Sequence, residues 1–177
     1  LTAALQSLDF AAVTVLANTN ATRGGIVAGI ESLIDASQPG DHVLLHYSGH
    51  GQQIVDDNGD EVDGFDEALV AHGAPMRAEE GYTGERHLRD DQLGALVLLL
   101  RQKVGSTGSV AVTLDSCHSG TATRGDLGVR GGAPPIGGAR APGLSSGSDF
   151  LETTASVDLA PAAFLSAARA DQLARES

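Results

Sequence analysis

The stretch SVAVTLDSCHSG (residues 109–120) decides the fold predicted for this chain. Its first half is apolar and rich in Val, which is typical of a buried strand, and its second half consists of small and polar residues. It also contains Cys117, the only cysteine among the 177 residues. A thiol at the end of a strand suits a nucleophile, because the attacking thiolate needs an exposed, polar site and a nearby base.

The stretch HVLLHYSGHG (residues 42–51) repeats this arrangement earlier in the chain, with His50 between two glycines after an apolar run. The carboxyl ends of neighbouring parallel strands meet at one edge of a sheet, so His50 and Cys117 can face each other. As a pair they fit the base and the nucleophile of a cysteine hydrolase. Taken as isolated residues, they fit a buried structural cysteine and a histidine in a turn better. The backbone N–H groups of Gly51 and Cys117 could then form the oxyanion hole.

The rest of the chain alternates between strand-like and helix-like segments, which predicts a single α/β domain over residues 1–177 with a largely parallel sheet. Helical spacing of apolar residues and capping residues define the predicted helices. The predicted strands cover residues 11–16, 42–47, 68–71, 109–114 and 162–167, and the predicted helices cover 1–8, 23–37 and 90–105. Residues 52–67 form the most acidic stretch, and residues 75–89 are predicted to be a polar loop.

The net charge of −12, from 23 acidic and 11 basic residues, argues against a nucleic-acid partner, whose phosphates need a basic face. The charge favours a cationic peptide or a divalent cation, although acidity can also serve solubility alone. No apolar run approaches the ~20 residues that span a bilayer, so no membrane association is expected. A single cysteine excludes an internal disulfide and fits the reducing cytoplasm.

Four motifs in order resemble the caspase–metacaspase superfamily, and most closely metacaspases and their prokaryotic relatives. They are SGHG after a strand, the acidic DNGDEVDGFDEALV, RDDQL at the start of a helix, and DSCHSG after a strand. The resemblance implies a caspase-like three-layer sandwich, in which a mostly parallel central sheet is flanked by helices. It also implies a Cys–His dyad, with His50 as the base and Cys117 as the nucleophile.

The resemblance runs from about residue 18 to the end of the chain and implies an incomplete domain. It places the large-subunit region at about residues 1–119, a linker at about 120–148 and the start of the small-subunit region at about 160–177. The family's first strand and the rest of its small subunit are expected to lie outside this sequence. The chain's own small-subunit segment is therefore an expected partner.

The resemblance also implies a cysteine endopeptidase that cleaves protein or peptide substrates after Arg or Lys. The pocket for the basic side chain is expected to contain Asp115 and Ser48, since a carboxylate pairs with guanidinium or ammonium. A simpler role for Asp115 is to cap its loop. Two other functions stay open: a caspase-like protease that prefers a different residue before the cut, and an interaction or scaffold module without turnover.

Calcium is the one cofactor that the resemblance implies, as an activator, since the Cys–His chemistry itself requires none. The expected ligands are Asp66, Asp90, Asp91 and Asp126, because hard oxygen ligands suit Ca²⁺. The acidic stretch is not an EF-hand, because Glu61 stands where that loop needs glycine. The alternative is a helix N-cap at residues 90–91 next to a solvated acidic loop.

Residues 120–148 are rich in Gly, Pro, Ser, Ala and Arg, a composition typical of a flexible linker. If the enzyme cleaves after Arg, then Arg124, Arg130 and Arg140 are candidate processing sites, and cleavage there would regulate activity. The alternative is a loop without such a role.

The remaining histidines are given structural roles. A zinc site built from His46 and His118 with the dyad is disfavoured, because HYSGH follows a strand and does not lie on a helix. The other three histidines are expected at the surface: His42, His72 and His87.

Overall fold

The computed structural model describes residues 1–59, 64–77, 79–116, 136 and 158–166. These residues form a mixed α/β structure, which confirms the predicted class. The helices are α1 (Thr2–Ser7), α2 (Arg23–Ala36) and α3 (Asp90–Val104), with a 3-10 turn at Asn18–Asn20. The strands are β1 (His42–Ser48), β2 (Gly51–Val55), β3 (Phe65–Leu69), β4 (Leu88–Arg89), β5 (Ser109–Asp115) and β6 (Ala162–Ser166).

The first sheet is parallel and has the order β1-β5-β6. Its central strand is the stretch that decides the predicted fold, and its side chains alternate, with Val110, Val112 and Leu114 buried. Strands β1 and β5 pair from His42 opposite Ser109 through to Ser48 opposite Asp115. Because the two strands end together, the loops that follow them leave from the same edge of the sheet.

Helices α2 and α3 pack against each other and share one apolar core with the buried side chains of β5. The α2 helix begins where the Thr22 side chain accepts a hydrogen bond from Gly25 N–H, as a capping residue should. The α3 helix carries acids in its first turn and bases in its last, which complements the helix dipole. Both helices were predicted within a residue of their observed ends.

The second sheet is antiparallel, has the order β2-β3-β4 and was predicted only in part. The predicted strand over residues 68–71 overlaps the end of β3, no strand was predicted over residues 51–55, and β4 corrects the end of the predicted polar loop over residues 75–89. The sheet pairs Gly51 with Leu69 and Val55 with Phe65. No strand pattern is visible in the sequence here, because adjacent polar residues in each strand are buried: Gln52, Gln53, Asp66 and Glu67 are each less than 5% exposed. Partners within the hairpin make this burial possible, including a 3.4 Å hydrogen bond from Gln53 Nε2 to Glu67 Oε1.

The segment over residues 11–16 is not a strand, which is a second correction. Its composition suits a strand, but none of the described residues pairs with it, and Val15 is 63% exposed. A strand requires a partner for its backbone groups, so composition alone does not produce one.

The predicted linker contributes one described residue, Ile136, which is 1% exposed. It forms an isolated parallel bridge with Ile54, donating its N–H to Gln53 O at 3.1 Å and accepting from Val55 N–H at 2.9 Å. Its side chain packs with Ile54 and Ala68 in a small separate core. At this point the linker is held against β2.

No helix within the described ranges is long and apolar enough to cross a membrane.

Candidate active site

The ends of β1 and β5 lie side by side at the carboxyl edge of the parallel sheet, and hydrogen bonds from a side chain and from the backbone connect them. Ser48 is the last residue of β1, and Asp115, the last residue of β5, lies opposite it. The Ser48 hydroxyl donates to Asp115 Oδ2 at 3.0 Å, and the Gly49 N–H donates to the Asp115 carbonyl at 3.1 Å. The two residues predicted to form a basic-side-chain pocket are therefore in direct contact.

His50 is held by its backbone and presents its side chain to solvent. Its carbonyl accepts a hydrogen bond from Val70 N–H at 2.9 Å and another from the Tyr47 hydroxyl at 2.8 Å. The Tyr47 hydroxyl also lies 3.0 Å from Val70 O. Burial raises the pKa of Tyr47 to about 12, so its phenol stays protonated and donates at neutral pH.

Residue 49 packs so closely against Tyr47 that only glycine fits. A Cβ at this position would lie 2.6 Å from the Tyr47 hydroxyl oxygen and 2.8 Å from the ring carbon that bears it. The tyrosine that anchors His50 therefore requires glycine at residue 49. Gly51, the predicted oxyanion donor, is buried and begins β2 opposite Leu69.

Cys117 lies outside the described residues, so its distance from His50 stays a prediction. The strand that leads to it is described as far as Ser116, which is 1% exposed. Among the described residues, none is a hydrogen-bond partner of the Ser116 hydroxyl. Four further predicted site residues are outside the described ranges: Arg124, Asp126, Arg130 and Arg140.

An acidic cluster forms around the β2–β3 hairpin. Among the described residues, Asp56, Asp57 and Asp66 each place a carboxylate oxygen within 4.8 Å of those of the other two. Asp66 is 1% exposed, and its Oδ1 has no hydrogen-bond partner within the described part of the chain. Its Oδ2 is paired with Arg89 Nη1, and Arg89 Nε lies 3.1 Å from Asp57 Oδ2.

The chain matches the family model "Metacaspase, peptidase C14 domain" over residues 6–125, about two thirds of its length. The chain belongs to the metacaspase family. Metacaspase-1 of Pyricularia oryzae is 39% identical over 101 residues, which are 57% of this chain and 23% of that protein. Metacaspase-2 of Arabidopsis thaliana is 34% identical over 100 residues, 56% of this chain and 21% of that protein.

This metacaspase chain thus spans about a fifth to a quarter of the length of the curated relatives it matches. A crystal structure of a protein from Geobacter sulfurreducens is also similar, with 37% sequence identity and a TM-score of 0.47. The match covers 62% of this chain and 36% of that one.

The structure distributes the predicted calcium ligands of the metacaspase chain over two places. Asp66 lies in the cluster with Asp56 and Asp57, whereas Asp90 and Asp91 begin α3. A hydrogen bond connects the two places, since Asn58 Nδ2 donates to Asp91 Oδ2 at 2.7 Å.

Sequence reasoning missed the contribution of Asp56, Asp57 and Arg89 to this region. The two acids directly follow Val55, so identifying residues 51–55 as a strand would have placed them at a hairpin end. Arg89 stands immediately before the predicted helix and offers no signal of its own, because its partners lie more than twenty residues earlier in the chain.

His87 is buried, contrary to the prediction of a surface residue, whereas His42 and His72 are exposed as predicted. Its Nδ1 lies 2.7 Å from the Tyr82 hydroxyl, and within the described part of the chain its Nε2 has no hydrogen-bond partner. Burial lowers the pKa of His87 to about 4, and the nearby charge of Arg86 lowers it further in the same direction. This histidine is therefore neutral at physiological pH.

Proposed function

We propose that the chain is the catalytic region of a cysteine endopeptidase that cleaves proteins after Arg or Lys. The observation that carries the proposal is the contact between Ser48 and Asp115, a hydroxyl–carboxylate pair at the sheet edge. It lies two residues before His50 and two residues before Cys117 along the two chain segments. Membership of the metacaspase peptidase family supports the reaction class.

In the proposed reaction His50 accepts the proton of the Cys117 thiol, and the thiolate attacks the scissile carbonyl. A sulfur–carbon bond forms, and the negative charge that develops on the carbonyl oxygen is stabilised by the N–H groups of Gly51 and Cys117. His50 then gives its proton to the leaving amine as the carbon–nitrogen bond breaks. Water, activated by His50, hydrolyses the thioester and restores the thiol. No cofactor takes part in these steps.

The preference for a basic residue rests on the carboxylate of Asp115. A carboxylate can accept several hydrogen bonds at once, so Asp115 can hold the Ser48 hydroxyl and a substrate guanidinium together. The net charge of −12 also attracts cationic peptides and opposes acidic ones. We therefore expect Arg before the cut, then Lys, with Asp cleaved poorly.

The test is a panel of fluorogenic peptides that end in Arg, Lys or Asp, assayed with and without Ca²⁺ on the chain and on a Cys117→Ala variant. We expect cleavage of the Arg peptide, less of the Lys peptide, and none by the variant. Preferred cleavage of the Asp peptide would contradict the specificity. A folded chain that cleaves none of the peptides would contradict the peptidase proposal and favour an interaction module.

We further propose that Ca²⁺ activates the enzyme through the carboxylates near the β2–β3 hairpin and the start of α3. The hairpin cluster fits this ion, because it brings together three hard oxygen ligands and a buried carboxylate with one unpartnered oxygen among the described residues. Asp66 would be a ligand, with Asp90, Asp91 and Asp126 as the other predicted ones. The ion would order the hairpin that follows His50.

The linker arginines provide a proposed route of regulation. We expect the enzyme, or a protease that activates it, to cut after Arg124, Arg130 or Arg140. The pairing of β6 with β5 supports the small-subunit segment as an intramolecular partner, since it binds the strand that leads to Cys117. Intact-mass spectrometry of active protein checks this, and active protein without a cut in residues 120–148 would contradict it.

The reducing cytoplasm is the proposed location, because a free catalytic thiol is preserved there. Measuring the fraction of Cys117 that alkylates in freshly lysed cells, before and after reduction, would check this expectation. A thiol found mostly oxidised would argue against it.

A further inference from the structure

The guanidinium of Arg89 occupies the space between two members of the acidic cluster. It pairs with Asp66 Oδ2 through Nη1 and with Asp57 Oδ2 through Nε at 3.1 Å. The same guanidinium donates to the backbone carbonyls of Val55 at 2.9 Å and Thr83 at 2.8 Å. All three of its nitrogens are thus engaged, and the side chain is only 14% exposed.

The electrostatic reason for this arrangement is the burial of Asp66. A carboxylate that is 1% exposed is costly to ionise unless a positive charge compensates it, and Arg89 supplies that charge. Arg89 pairs with only one oxygen of this carboxylate, Oδ2. The other oxygen, Oδ1, is buried and has no hydrogen-bond partner among the described residues. The unpartnered oxygen belongs to the same carboxylate that meets Asp56 and Asp57.

We infer that Arg89 is a built-in competitor for a divalent-cation site formed by Asp56, Asp57 and Asp66, and that the cation enters by displacing the guanidinium. The inference rests on the proposed role of calcium and extends it to a residue and two ligands that the sequence did not indicate. A dication and a guanidinium repel each other when they share Asp57 and Asp66 in a partly buried cluster.

The contacts of the three side chains indicate which of them would move. Asp57 is 63% exposed, so its carboxylate can turn toward an incoming ion, whereas Asp66 is fixed in β3. When Arg89 Nη1 leaves Asp66 it also leaves the Val55 carbonyl, whereas Nη2 can keep the Thr83 carbonyl as its acceptor. Thr83 lies in the loop before β4, so movement of Arg89 would also shift this loop.

The experiment measures Ca²⁺ binding by isothermal titration calorimetry on the full 177-residue chain with Cys117→Ala, so that self-cleavage cannot interfere. Arg89→Met keeps the aliphatic stem and removes the charge, and it is expected to bind Ca²⁺ about tenfold more tightly. Asp57→Asn changes a ligand of the inferred site alone and is expected to abolish binding there, whereas Asp66→Asn removes a ligand that both proposals share. Arg86→Met is the matched control, because Arg86 pairs with the exposed Glu79 outside the cluster, and its affinity should match that of the parent.

A second measurement covers the case in which Arg89→Met fails to fold. In the parent protein, the Arg89 Nε–H resonance reports on the pairing with Asp57 and should shift and exchange faster with water when Ca²⁺ saturates the site. Calcium binding that leaves this resonance unchanged would overturn the inference, as would a folded Arg89→Met variant with equal or weaker affinity.

The outcomes separate this inference from the proposals on which it rests. Binding by the parent without tightening in Arg89→Met contradicts the competitor role alone. Binding by Arg89→Met but not by the parent upholds the competitor role and contradicts activation of the natural sequence by calcium. Absence of binding in both proteins contradicts the cation site as well. Peptidase activity is measured separately and does not enter these readouts.

Discussion

Tyr47 connects the packed interior to the backbone of the proposed base, His50. Its hydroxyl is within hydrogen-bond distance of the carbonyls of His50 and Val70, and its ring excludes any side chain at residue 49. It makes no contact with a substrate and is a positioning residue. The position of the imidazole therefore depends on a phenol that stays protonated.

Tyr47→Phe is expected to lower kcat severalfold and to leave KM nearly unchanged. The backbone of His50 loses one of its two hydrogen bonds, while Ser48 and Asp115 still bind the substrate. The loss of stability should be about 1 kcal/mol, typical of one hydrogen bond. Steady-state kinetics on an Arg peptide and urea unfolding measure both effects. Tyr82→Phe is the control, and an equal loss of kcat in that variant would contradict a specific role for Tyr47.

Asp115→Asn is expected to reduce kcat/KM for an Arg peptide by about 100-fold, since it removes the charge that pairs with the guanidinium. The amide can still accept the Ser48 hydrogen bond, so the strand ends should stay joined. Kinetics on a peptide series with Arg, Lys and an uncharged residue before the cut measure the change. Asp35→Asn, on the exposed face of α2, serves as the control. Equal losses on charged and uncharged peptides would contradict the pocket role.

At the scale of elements, helices and strands could be predicted from the sequence where their buried residues are apolar and form a local pattern. Strands β1 and β5 were predicted from short apolar runs, and helices α2 and α3 from apolar residues at helical spacing. The β2–β3 hairpin was missed because its buried positions include Gln53 and Glu67, whose pairing across the sheet no local pattern reveals. Residues 11–16 failed for the opposite reason, because strand composition without a pairing partner does not make a strand.

The same distinction explains what was predictable at the candidate site. His50 and Cys117 stand in two short motifs that are specific only as a pair, and Ser48 and Asp115 follow from the resemblance that this pair carries. The hydrogen bond between Ser48 and Asp115 depends on the register of two strands that are distant in the chain. Arg89 could not be placed, because the acids it contacts come from a hairpin that was itself missed.

Leu100→Ala in α3 is expected to destabilise the fold by about 2–5 kcal/mol, because it leaves a cavity in the core shared with β5. Leu99→Ala changes the adjacent residue of the same helix, which is 51% exposed, and should cost less than about 1 kcal/mol. Urea unfolding followed by circular dichroism gives both free energies. Similar values for the two variants would contradict the placement of the α3 apolar face.

At the scale of the whole molecule, the buried His87 makes global stability depend on pH. Its pKa is about 4 in the folded chain and near 6.5 in the unfolded chain, so between these values the unfolded state binds more protons. Stability is therefore highest above pH 6.5 and falls as the pH decreases toward 4. Below about pH 4 both states are protonated and this contribution changes no further.

The free energy of unfolding should fall by about 2 kcal/mol from pH 7 to pH 5 through His87 alone. His87→Gln removes the titrating ring and should lose most of this decrease, while His72→Gln, at an exposed position, should behave like the parent. Urea unfolding at both pH values measures the differences. If His87→Gln and His72→Gln show the same pH dependence as the parent, the neutral buried state of His87 is wrong.

The parallel pairing of β6 with β5 has a consequence for a nicked molecule. Strand β5 precedes the proposed processing sites in the chain and β6 follows them. A chain cut after Arg130 would therefore consist of two polypeptides that still share one sheet. Ile136 would then travel with the downstream polypeptide and clasp it to the hairpin at a second point. Severed protein should therefore migrate as a single species on a native gel and dissociate only when denatured.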